Sequence, residues 1–318
     1  MTRLLALVNA ALIIAAMAVL GCARQDTQQP SFETPESAVD ALVAAAAKHD
    51  VAELQRLLGP GTEDLLESGD AIADRAEREG FLERYRIRHR LVVGGPADFV
   101  LQVGADNWPL PIPLVREGDK WRFDGATGAD ELVLRRIGAN ELRTIDVMRG
   151  FVVAEQDYAA KGHDGVAAGV YASRFRSTPG KQDGLFWEVS GDEPPSPAGP
   201  FLAAAAEEGY ALEGANEETG KRTPYHGYVY RMLVAQGPAA NGGARNYLVE
   251  GKLTGGFAML AIPESYGVSG ITSFIVNQDG VVWQRDLGEN TAQVAQSIQR
   301  FDPDRSWTPI APEQSQEP

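Results

Sequence analysis

The stretch Ala129–Ala160, ADELVLRRIGANELRTIDVMRGFVVAEQDYAA, decides how the rest of the chain is divided. Apolar residues recur along it every three or four positions, which is the period of an α-helix. They are Leu134, Ile137, Leu142, Ile145, Met148, Phe151, Val152 and Tyr158. We therefore predict one helix of about 45 Å, at about 1.5 Å per residue, with charged residues on its other face. The patterns before and after it differ, so we expect this helix to open the second of two domains.

Composition limits the classes to which the protein can belong. A chain of 318 residues can hold two domains of ordinary size. Its formal net charge of -15 argues against nucleic acid as a partner. Cys22 is the only cysteine, so disulfides within the chain and thiolate metal cages are both excluded.

The first 21 residues have the pattern of a signal peptide. Arg3 lies near the start, an apolar run extends from Leu4 to Leu20, and Gly21 and Cys22 follow. The alternative is an uncleaved membrane anchor, but the apolar run is shorter than the roughly 20 residues that a membrane-spanning helix needs. We exclude residues 1–21 from the folded protein and predict a polar, flexible tether over residues 22–34.

The segment Val19-Leu20-Gly21-Cys22 resembles a bacterial lipobox. The resemblance implies cleavage before Cys22, lipidation of that cysteine, and contact with a membrane through the lipid. In lipoproteins of this kind a residue other than Asp after the cysteine directs the protein to the outer membrane, and here that residue is Ala23. The expected location is thus the bacterial cell envelope, on the periplasmic face of the outer membrane.

Residues 35–128 have the pattern of an α+β domain, with helices first and antiparallel strands afterwards. Thr34 and Pro35 mark the start of the first helix, because Thr caps a helix and Pro fits its first position. Further helices are predicted over Val51–Leu58 and Ala71–Tyr85. The predicted strands are Arg88–Val93, Phe99–Val103, Leu110–Val115 and Lys120–Asp124.

Residues 129–311 are predicted to form the second domain, in which the long helix packs on a small antiparallel sheet. Its predicted strands are Tyr225–Gln236, Ala244–Leu253, Gly256–Ile262, Ile271–Val276 and Val281–Arg285. Asn277-Gln278-Asp279-Gly280 favours a hairpin turn over a calcium loop, because the downstream carboxylate of a calcium loop is missing. A short helix is expected over Thr291–Arg300 and a disordered tail over residues 312–318.

Two resemblances support this division. The amino-terminal part of the chain resembles the nuclear transport factor 2-like, or cystatin-like, fold. The resemblance lies in the segment TPESAVDALVAAAAKHDVAELQRLLGP and in the following strands, which end in GDKWRF. That fold implies helices packed on a curved antiparallel sheet. The order of a long helix, the aromatic strand HGYVYRML and the hairpin SFIVNQDGVVW is similar to the soluble part of type IV pilin-like proteins. A pilin carries its helix at the amino terminus, so the resemblance implies the fold and not a filament.

Over its mature length the chain resembles an uncharacterised bacterial lipoprotein family known as domain of unknown function 2950. The stretches that carry this resemblance include ADNWPLPIPLVREGDKWRFD, PYHGYVYRMLVAQGPAA and GGFAMLAIPESYGVSGITSFIVNQDGVVWQRDLG. The family implies an exported protein associated with the cell envelope, and it implies no reaction.

Sequence motifs for catalysis or cofactor binding are missing from this chain. The four histidines, His49, His89, His163 and His226, have no zinc-binding spacing. No Gly-x-Ser-x-Gly elbow, dinucleotide-binding glycine pattern or P-loop lysine occurs. We therefore assign no catalytic residue, no metal ligand and no cofactor from the sequence.

Seven residues remain as candidates for ligand binding: Arg84, Arg86, Arg88, Arg174, Arg176, His226 and Tyr228. The two arginine clusters either hold an anion such as a phosphate or carboxylate, or are solvated faces paired with nearby acids, which is the commoner arrangement. Tyr228 and Tyr230 share a strand face with His226 if that strand is regular. Such an aromatic row either binds a sugar or peptide or belongs to a half-buried sheet surface.

The sequence supports two hypotheses about function. The first is a non-enzymatic, lipid-anchored envelope protein that acts as a binding or structural module for an envelope protein or a cell-wall partner. The alternative is a small-ligand binder or hydrolase-like enzyme that uses the cup of the first domain, with Arg84 to Arg90 near its mouth. A deep cavity with convergent polar groups and a titratable residue of altered pKa would favour the alternative.

Overall fold

The structure is a computed structural model that describes residues 29–189, 195–200, 205 and 223–311. The predicted signal peptide, Cys22, the first part of the predicted tether and the tail 312–318 lie outside these residues. Six complete helices are described: α1 (Pro35–Ala47), α2 (Val51–Leu58), α3 (Glu63–Leu66), α4 (Ala71–Ile87), α5 (Ala129–Ala159) and α6 (Thr291–Ser297). They combine with antiparallel sheets, so the α+β class is confirmed.

Fourteen strands are described. In the first part of the chain they are β1 (His89–Gly95), β2 (Asp98–Val103), β3 (Trp108–Pro109), β4 (Leu114–Glu117) and β5 (Lys120–Phe123). In the second part they are β6 (Tyr228–Leu233), β7 (Ala235–Gln236), β8 (Arg245–Asn246), β9 (Leu248–Val249), β10 (Lys252–Leu253), β11 (Ala258–Pro263), β12 (Thr272–Asn277), β13 (Trp283–Asp286) and β14 (Thr308–Pro309).

Residues 29–128, which we call the amino-terminal unit, have helices packed on one antiparallel sheet. The strand order is β1-β2-β4-β5, and β3 pairs with β2. The predicted start of α1 is confirmed, because the Thr34 hydroxyl accepts from the Ser37 N–H at 3.1 Å. Leu42 of α1, Leu57 of α2, Leu101 of β2 and Phe123 of β5 are all buried in one core. The apolar faces of the helices and of the sheet therefore cover each other.

The described residues from 129 onward, the carboxy-terminal unit, are built on a second antiparallel sheet in the order β14-β13-β12-β11-β6. Met259 and Ala261 of β11 face one hydrophobic cluster, and Ala258 and Leu260 face another on the opposite side. Because successive side chains of a strand alternate between faces, β11 lies in the middle of a layer that is covered on both sides. This explains its uninterrupted apolar sequence.

The second half of α5 covers one face of this sheet. Met148, Phe151 and Tyr158 are buried in the same cluster as Met259 and Ala261. The apolar stripe predicted from the sequence is wrong at two positions of the first half, because Leu134 and Leu142 are 60% and 67% exposed. Besides Ala129 and Ile137, the buried positions there are polar, namely Arg136, Asn140 and Thr144. The first half of α5 is therefore held by polar contacts as well as by apolar packing.

Two predicted strands of the carboxy-terminal unit differ from the structure because of the backbone conformation. The strand predicted from Tyr225 begins only at Tyr228, since His226 and Gly227 adopt left-handed backbone with φ of 51° and 73°. The strand predicted over Ala244–Leu253 is divided into β8, β9 and β10. A turn at Glu250 and Gly251, with φ of 49° and 77°, folds β10 back onto β9.

Candidate functional site

A cavity of about 550 Å³ lies between the helices of the amino-terminal unit and the first half of α5. Pockets that hold small molecules have volumes of about 300 to 1,000 Å³. The apolar lining comes from Leu42, Ala46, Leu54, Leu58, Leu65, Leu66, Phe81, Trp108, Leu110, Ile112 and Leu132. The charged lining comes from Arg78, Arg84, Arg135, Arg136, Arg143, Asp74, Glu77 and Asp106. Cations outnumber anions in this lining, although the chain as a whole is acidic.

Two side chains of α4 that line the cavity have buried polar atoms without a hydrogen-bond partner in the described part of the chain. Asp74 is 6% exposed; its Oδ2 accepts from the Ser68 N–H at 3.0 Å, and its Oδ1 has no partner. Arg78 donates through Nη1 to the Leu66 carbonyl at 3.3 Å, and its Nε has no partner. Leaving buried polar atoms unpaired is costly in free energy. Both atoms are buried beneath the lining rather than exposed to the cavity.

The Asp74 carboxyl is the titratable group of altered pKa in this lining. Burial raises its pKa above the ordinary range, and the bond from Ser68 and the positive charge of Arg136 partly oppose the rise. Asp74 therefore takes up a proton more readily than an exposed aspartate does. In its neutral form the carboxyl can donate a hydrogen bond as well as accept one.

An aromatic ring flanked by two arginines lies at one part of the lining. The guanidinium carbon of Arg84 is 5.9 Å from the centre of the Trp108 ring, and that of Arg135 is 5.6 Å from it. Arg84 also pairs with Asp106 at 3.4 Å, and Arg135 pairs with Glu131 one turn earlier on α5. Both arginines are exposed residues at the rim of the cavity. Their contacts hold the half-buried Trp108 ring in place.

Arg136 joins α5 to the wall of the cavity. Its side chain is almost fully buried and bonds the Asp64 carbonyl at 2.8 Å, the Leu65 carbonyl, and the Glu77 carboxylate at 3.0 Å. The guanidinium group thus donates hydrogen bonds to two backbone carbonyls of α3 and to the Glu77 carboxylate of α4 at the same time. Arg136 therefore joins the early part of α5 to α3 and α4 of the amino-terminal unit.

Further polar contacts continue along α5 into the carboxy-terminal unit. Asn140 donates to the Ser269 carbonyl at 3.0 Å, and Glu141 accepts from the Thr272 N–H at 2.9 Å. Asp70 caps α4 and accepts from the Gly227 N–H at 2.9 Å. A side chain at Gly227 would meet Asn140 Nδ2 at 2.6 Å, so the close approach requires glycine. The cavity therefore lies beside the contact between the two units.

The cavity-facing side of α4 follows from the spacing of its residues. Asp74, Arg78 and Phe81 are separated by four and three positions, which places them on one face of the helix. That face carries both charged and apolar residues, so the apolar pattern alone does not reveal it. We did not identify Asp74 or Arg78 from the sequence, and a helix face with charges among its apolar residues is the signal that would have found them.

Of the arginine cluster on α4 and β1, the structure brings only Arg84 to the cavity. Arg86 is exposed and does not line it. Arg88 bonds the Ala105 carbonyl at 2.6 Å and the Gly104 carbonyl at 3.4 Å, so it supports the turn before β3. Arg90 bonds Gln102 on the neighbouring strand at 2.8 Å.

The second arginine cluster lies in the carboxy-terminal unit and does not meet the first. Arg174 bonds the Thr178 hydroxyl at 2.9 Å and lies 3.8 Å from Asp183. Arg176 pairs with Glu188 at 3.2 Å, and its guanidinium lies over the Phe186 ring. Both arginines are thus paired with nearby acids on the surface.

His226 and Tyr228 lie in the core of the contact region rather than on an open aromatic surface. His226 is 7% exposed, and burial together with the charge of Arg143 lowers its pKa to about 4. Tyr228 is fully buried, and its hydroxyl donates to the Thr272 carbonyl at 2.8 Å. Because His226 precedes the strand in a turn, it does not share a strand face with Tyr228 and Tyr230.

The other depressions in the described residues have a different character. One of about 620 Å³ lies beside α6 and is lined by Asp64, Glu264 and Glu289, among others. Within the described ranges, no three His, Cys, Asp or Glu side chains are grouped so that they could hold a metal ion. The same part of the chain has no helix that is long and apolar enough to cross a membrane.

Comparison with known proteins gives a family and no individual relative. No curated protein and no solved structure matches the chain. A family described as "Protein of unknown function (DUF2950)" matches residues 29–310, which include both sheets, α5 and every residue that lines the cavity. Because the match covers most of the sequence, the chain belongs to this DUF2950 family.

Proposed function

We propose that this protein is an exported, lipid-anchored protein of the bacterial cell envelope that binds a small ligand in its amino-terminal cavity without chemical turnover. The observation that carries the proposal is a largely apolar cavity of about 550 Å³ whose lining includes Arg78, an arginine that forms no ion pair within the described residues. Apolar cavities with a few polar groups are the usual form of small-molecule sites.

The proposed location rests on the sequence. The apolar run Leu4–Leu20 leads into Val19-Leu20-Gly21-Cys22, and the single cysteine occupies the lipidation position of the resembled lipobox. With Ala23 in the next position, we infer an anchor on the periplasmic face of the outer membrane.

We also infer the finer folds of the two units. Helices packed on the antiparallel sheet β1-β2-β4-β5 support a cystatin-like fold for the amino-terminal unit. A long helix packed on the sheet β14-β13-β12-β11-β6 supports a pilin-like fold for the carboxy-terminal unit. A whole unit precedes α5, so this fold would serve attachment or recognition rather than filament assembly.

Two helical glycines offer a matched test of ligand binding. Gly80 lines the cavity and Gly138 does not, and a Cβ at either position would have no heavy atom within 4 Å. We expect the new side chain of Gly80→Phe to obstruct the cavity and that of Gly138→Phe to leave it open. Both changes favour their helices, so the two variants are matched in this respect. Native mass spectrometry of protein purified from envelope extracts should show a bound small molecule that only Gly80→Phe removes. Equal retention in both variants would place the ligand elsewhere.

A catalytic use of the same cavity is the alternative, and the raised pKa of Asp74 is the observation that favours it. A neutral Asp74 could act as a general acid on a bound ester or amide. Incubation with the co-purified molecule distinguishes the two functions. Recovery of the unchanged molecule supports binding alone, whereas conversion by the wild type and not by Asp74→Asn establishes an enzyme.

A macromolecular partner, an envelope protein or a cell-wall component, is the second alternative. Leu134 and Leu142 support it because both are exposed apolar side chains on α5. Replacement of both by Lys would abolish capture of such a partner from envelope extracts. If the double variant and the wild type capture the same material, this alternative is wrong.

A further inference from the structure

We propose that the ligand of this cavity is a single-chain amphiphile, in which one hydrocarbon chain ends in an anionic carboxylate or phosphate group. The inference rests on the proposed binding function and specifies its ligand. The apolar lining of the cavity, the arginine Arg78 without an acidic partner in the described residues, and the balance of charge around the cavity support it.

The hydrocarbon chain is required by the walls that α1 and α2 contribute. Leu42 and Ala46 of α1 and Leu54 and Leu58 of α2 are the residues of these helices that line the cavity, and all are apolar. A polar ligand body placed against them would lose its hydrogen bonds to water without gaining new ones. A hydrocarbon chain loses nothing there and gains the free energy of leaving water.

The acidic head is favoured by an arginine that α4 contributes to the lining. Arg78 donates through Nη1 to the Leu66 carbonyl at 3.3 Å, and within the described residues its guanidinium forms no ion pair. A carboxylate or phosphate head would supply the missing opposite charge and accept a charge-assisted hydrogen bond from this guanidinium. An alcohol head could accept the same bond, but without the opposite charge the bond is weaker.

The sign of the head-group charge follows from the whole lining. Five arginines and three acidic residues surround the cavity. The Arg136 guanidinium is already bonded to the carbonyls of Asp64 and Leu65 and to Glu77, whereas the Arg78 guanidinium has no acidic partner within the described residues. A cationic head would meet this excess of positive charge, whereas an anionic head would be attracted by it.

The first experiment compares head groups on one hydrocarbon chain by titration calorimetry, with the unmodified protein freed of bound lipid. We expect hexadecanoate to bind at one site, 1-hexadecanol to bind about tenfold more weakly, and hexadecylamine not to bind. Equal binding of the alcohol and the acid would overturn the anionic head. Binding of inorganic phosphate as tight as that of a chain-bearing anion would overturn the amphiphile.

The second experiment removes the guanidinium group of Arg78. Arg78→Met should weaken hexadecanoate binding about tenfold and leave hexadecanol unchanged. Arg75→Met is the matched control, because Arg75 is an exposed arginine of the same helix that pairs with Glu79 and does not line the cavity. An equal loss in both variants would contradict the assignment of the head to Arg78. If Arg78→Met does not fold, the head-group comparison with the unmodified protein decides.

A third comparison identifies the source of the anion. Tighter binding of hexadecanoate than of palmitoyl lysophosphatidic acid indicates a free fatty acid, and the reverse order indicates a lipid phosphate. If neither binds while Gly80→Phe still removes another co-purified molecule, the amphiphile is wrong and the binding function stands. If no chain-bearing anion binds and nothing co-purifies, both proposals are wrong.

Discussion

Glu155 shows how a single buried carboxyl makes the stability of the protein depend on pH. The residue lies on α5 with no exposed surface; its Oε2 accepts from the Ala172 N–H at 2.9 Å. Its Oε1 has no partner in the described residues. Burial raises the pKa of Glu155 to about 8, and the single bond from Ala172 only partly opposes the rise.

The sign of the effect follows from this shift. Between the ordinary pKa of 4.5 and about 8, the folded protein holds a proton on Glu155 that the unfolded chain has released. The free energy of unfolding therefore falls as the pH rises through this interval. From about pH 6.5 to about pH 8 the expected loss is about 2 kcal/mol, at about 1.36 kcal/mol per pH unit.

The variant Glu155→Gln should remove this loss, because glutamine stays neutral at every pH. Urea unfolding of wild type and variant at about pH 6.5 and about pH 8.5 measures it. Glu67→Gln, which changes an exposed glutamate, should behave as the wild type does. A wild-type stability that does not fall over this range would show that Glu155 is not the buried acid described here.

At the scale of elements, α5 is one helix with two environments. Its second half covers a hydrophobic sheet, and its first half is held by Arg136, Asn140 and Glu141 through hydrogen bonds. The polar half lines the cavity and touches the loops that precede β6 and β12. The helix therefore connects the cavity wall to the sheet of the carboxy-terminal unit.

Removal of the Arg136 guanidinium should destabilise this connection. In Arg136→Met the carbonyls of Asp64 and Leu65 and the Glu77 carboxylate lose their common donor, and we expect the free energy of unfolding to fall by about 3 kcal/mol. Arg135→Met is the control, with an expected loss of about 1 kcal/mol or less, because Arg135 pairs with Glu131 on the surface. If urea unfolding shows the same loss of unfolding free energy in both variants, the burial of Arg136 adds nothing to stability.

At the scale of the whole molecule, the proposed attachment to the membrane depends on residues before the folded units. Cys22→Ser should abolish incorporation of a labelled fatty acid into the protein. Ala23→Asp should preserve the labelling and shift the protein from the outer-membrane to the inner-membrane fraction. A labelled Cys22→Ser protein would refute lipidation at this cysteine. An Ala23→Asp protein that stays in the outer-membrane fraction would refute the sorting inferred from Ala23.

Local sequence determined the elements whose causes are local. The helix over Val51–Leu58 has the predicted bounds, and Thr34 caps α1 as predicted. The hairpin of β4 and β5 turns at Gly118, where φ is 63°. Capping, helical periodicity and turn glycines act within a few residues, so a sequence reveals them directly.

Local sequence patterns could not predict the cavity, because its wall combines residues that are far apart in the chain. Arg84 was predicted as a candidate near its mouth, but Asp74, Arg78 and Trp108 were missed. Leu134 and Leu142 were expected on the apolar face and are exposed, because the buried face of this half carries Arg136, Ile137 and Asn140 instead. Which face of a helix is buried depends on the element that packs against it.

By itself, then, the sequence determined the α+β class, the long helix at residues 129–159 and the exclusion of disulfides. Tertiary structure alone decided that Asp74 and Arg78 line one largely apolar cavity, and that Arg136 ties α5 to its wall. The physical reason is desolvation. The sequence does not show whether water surrounds a charged residue, because only packing of the folded chain removes that water.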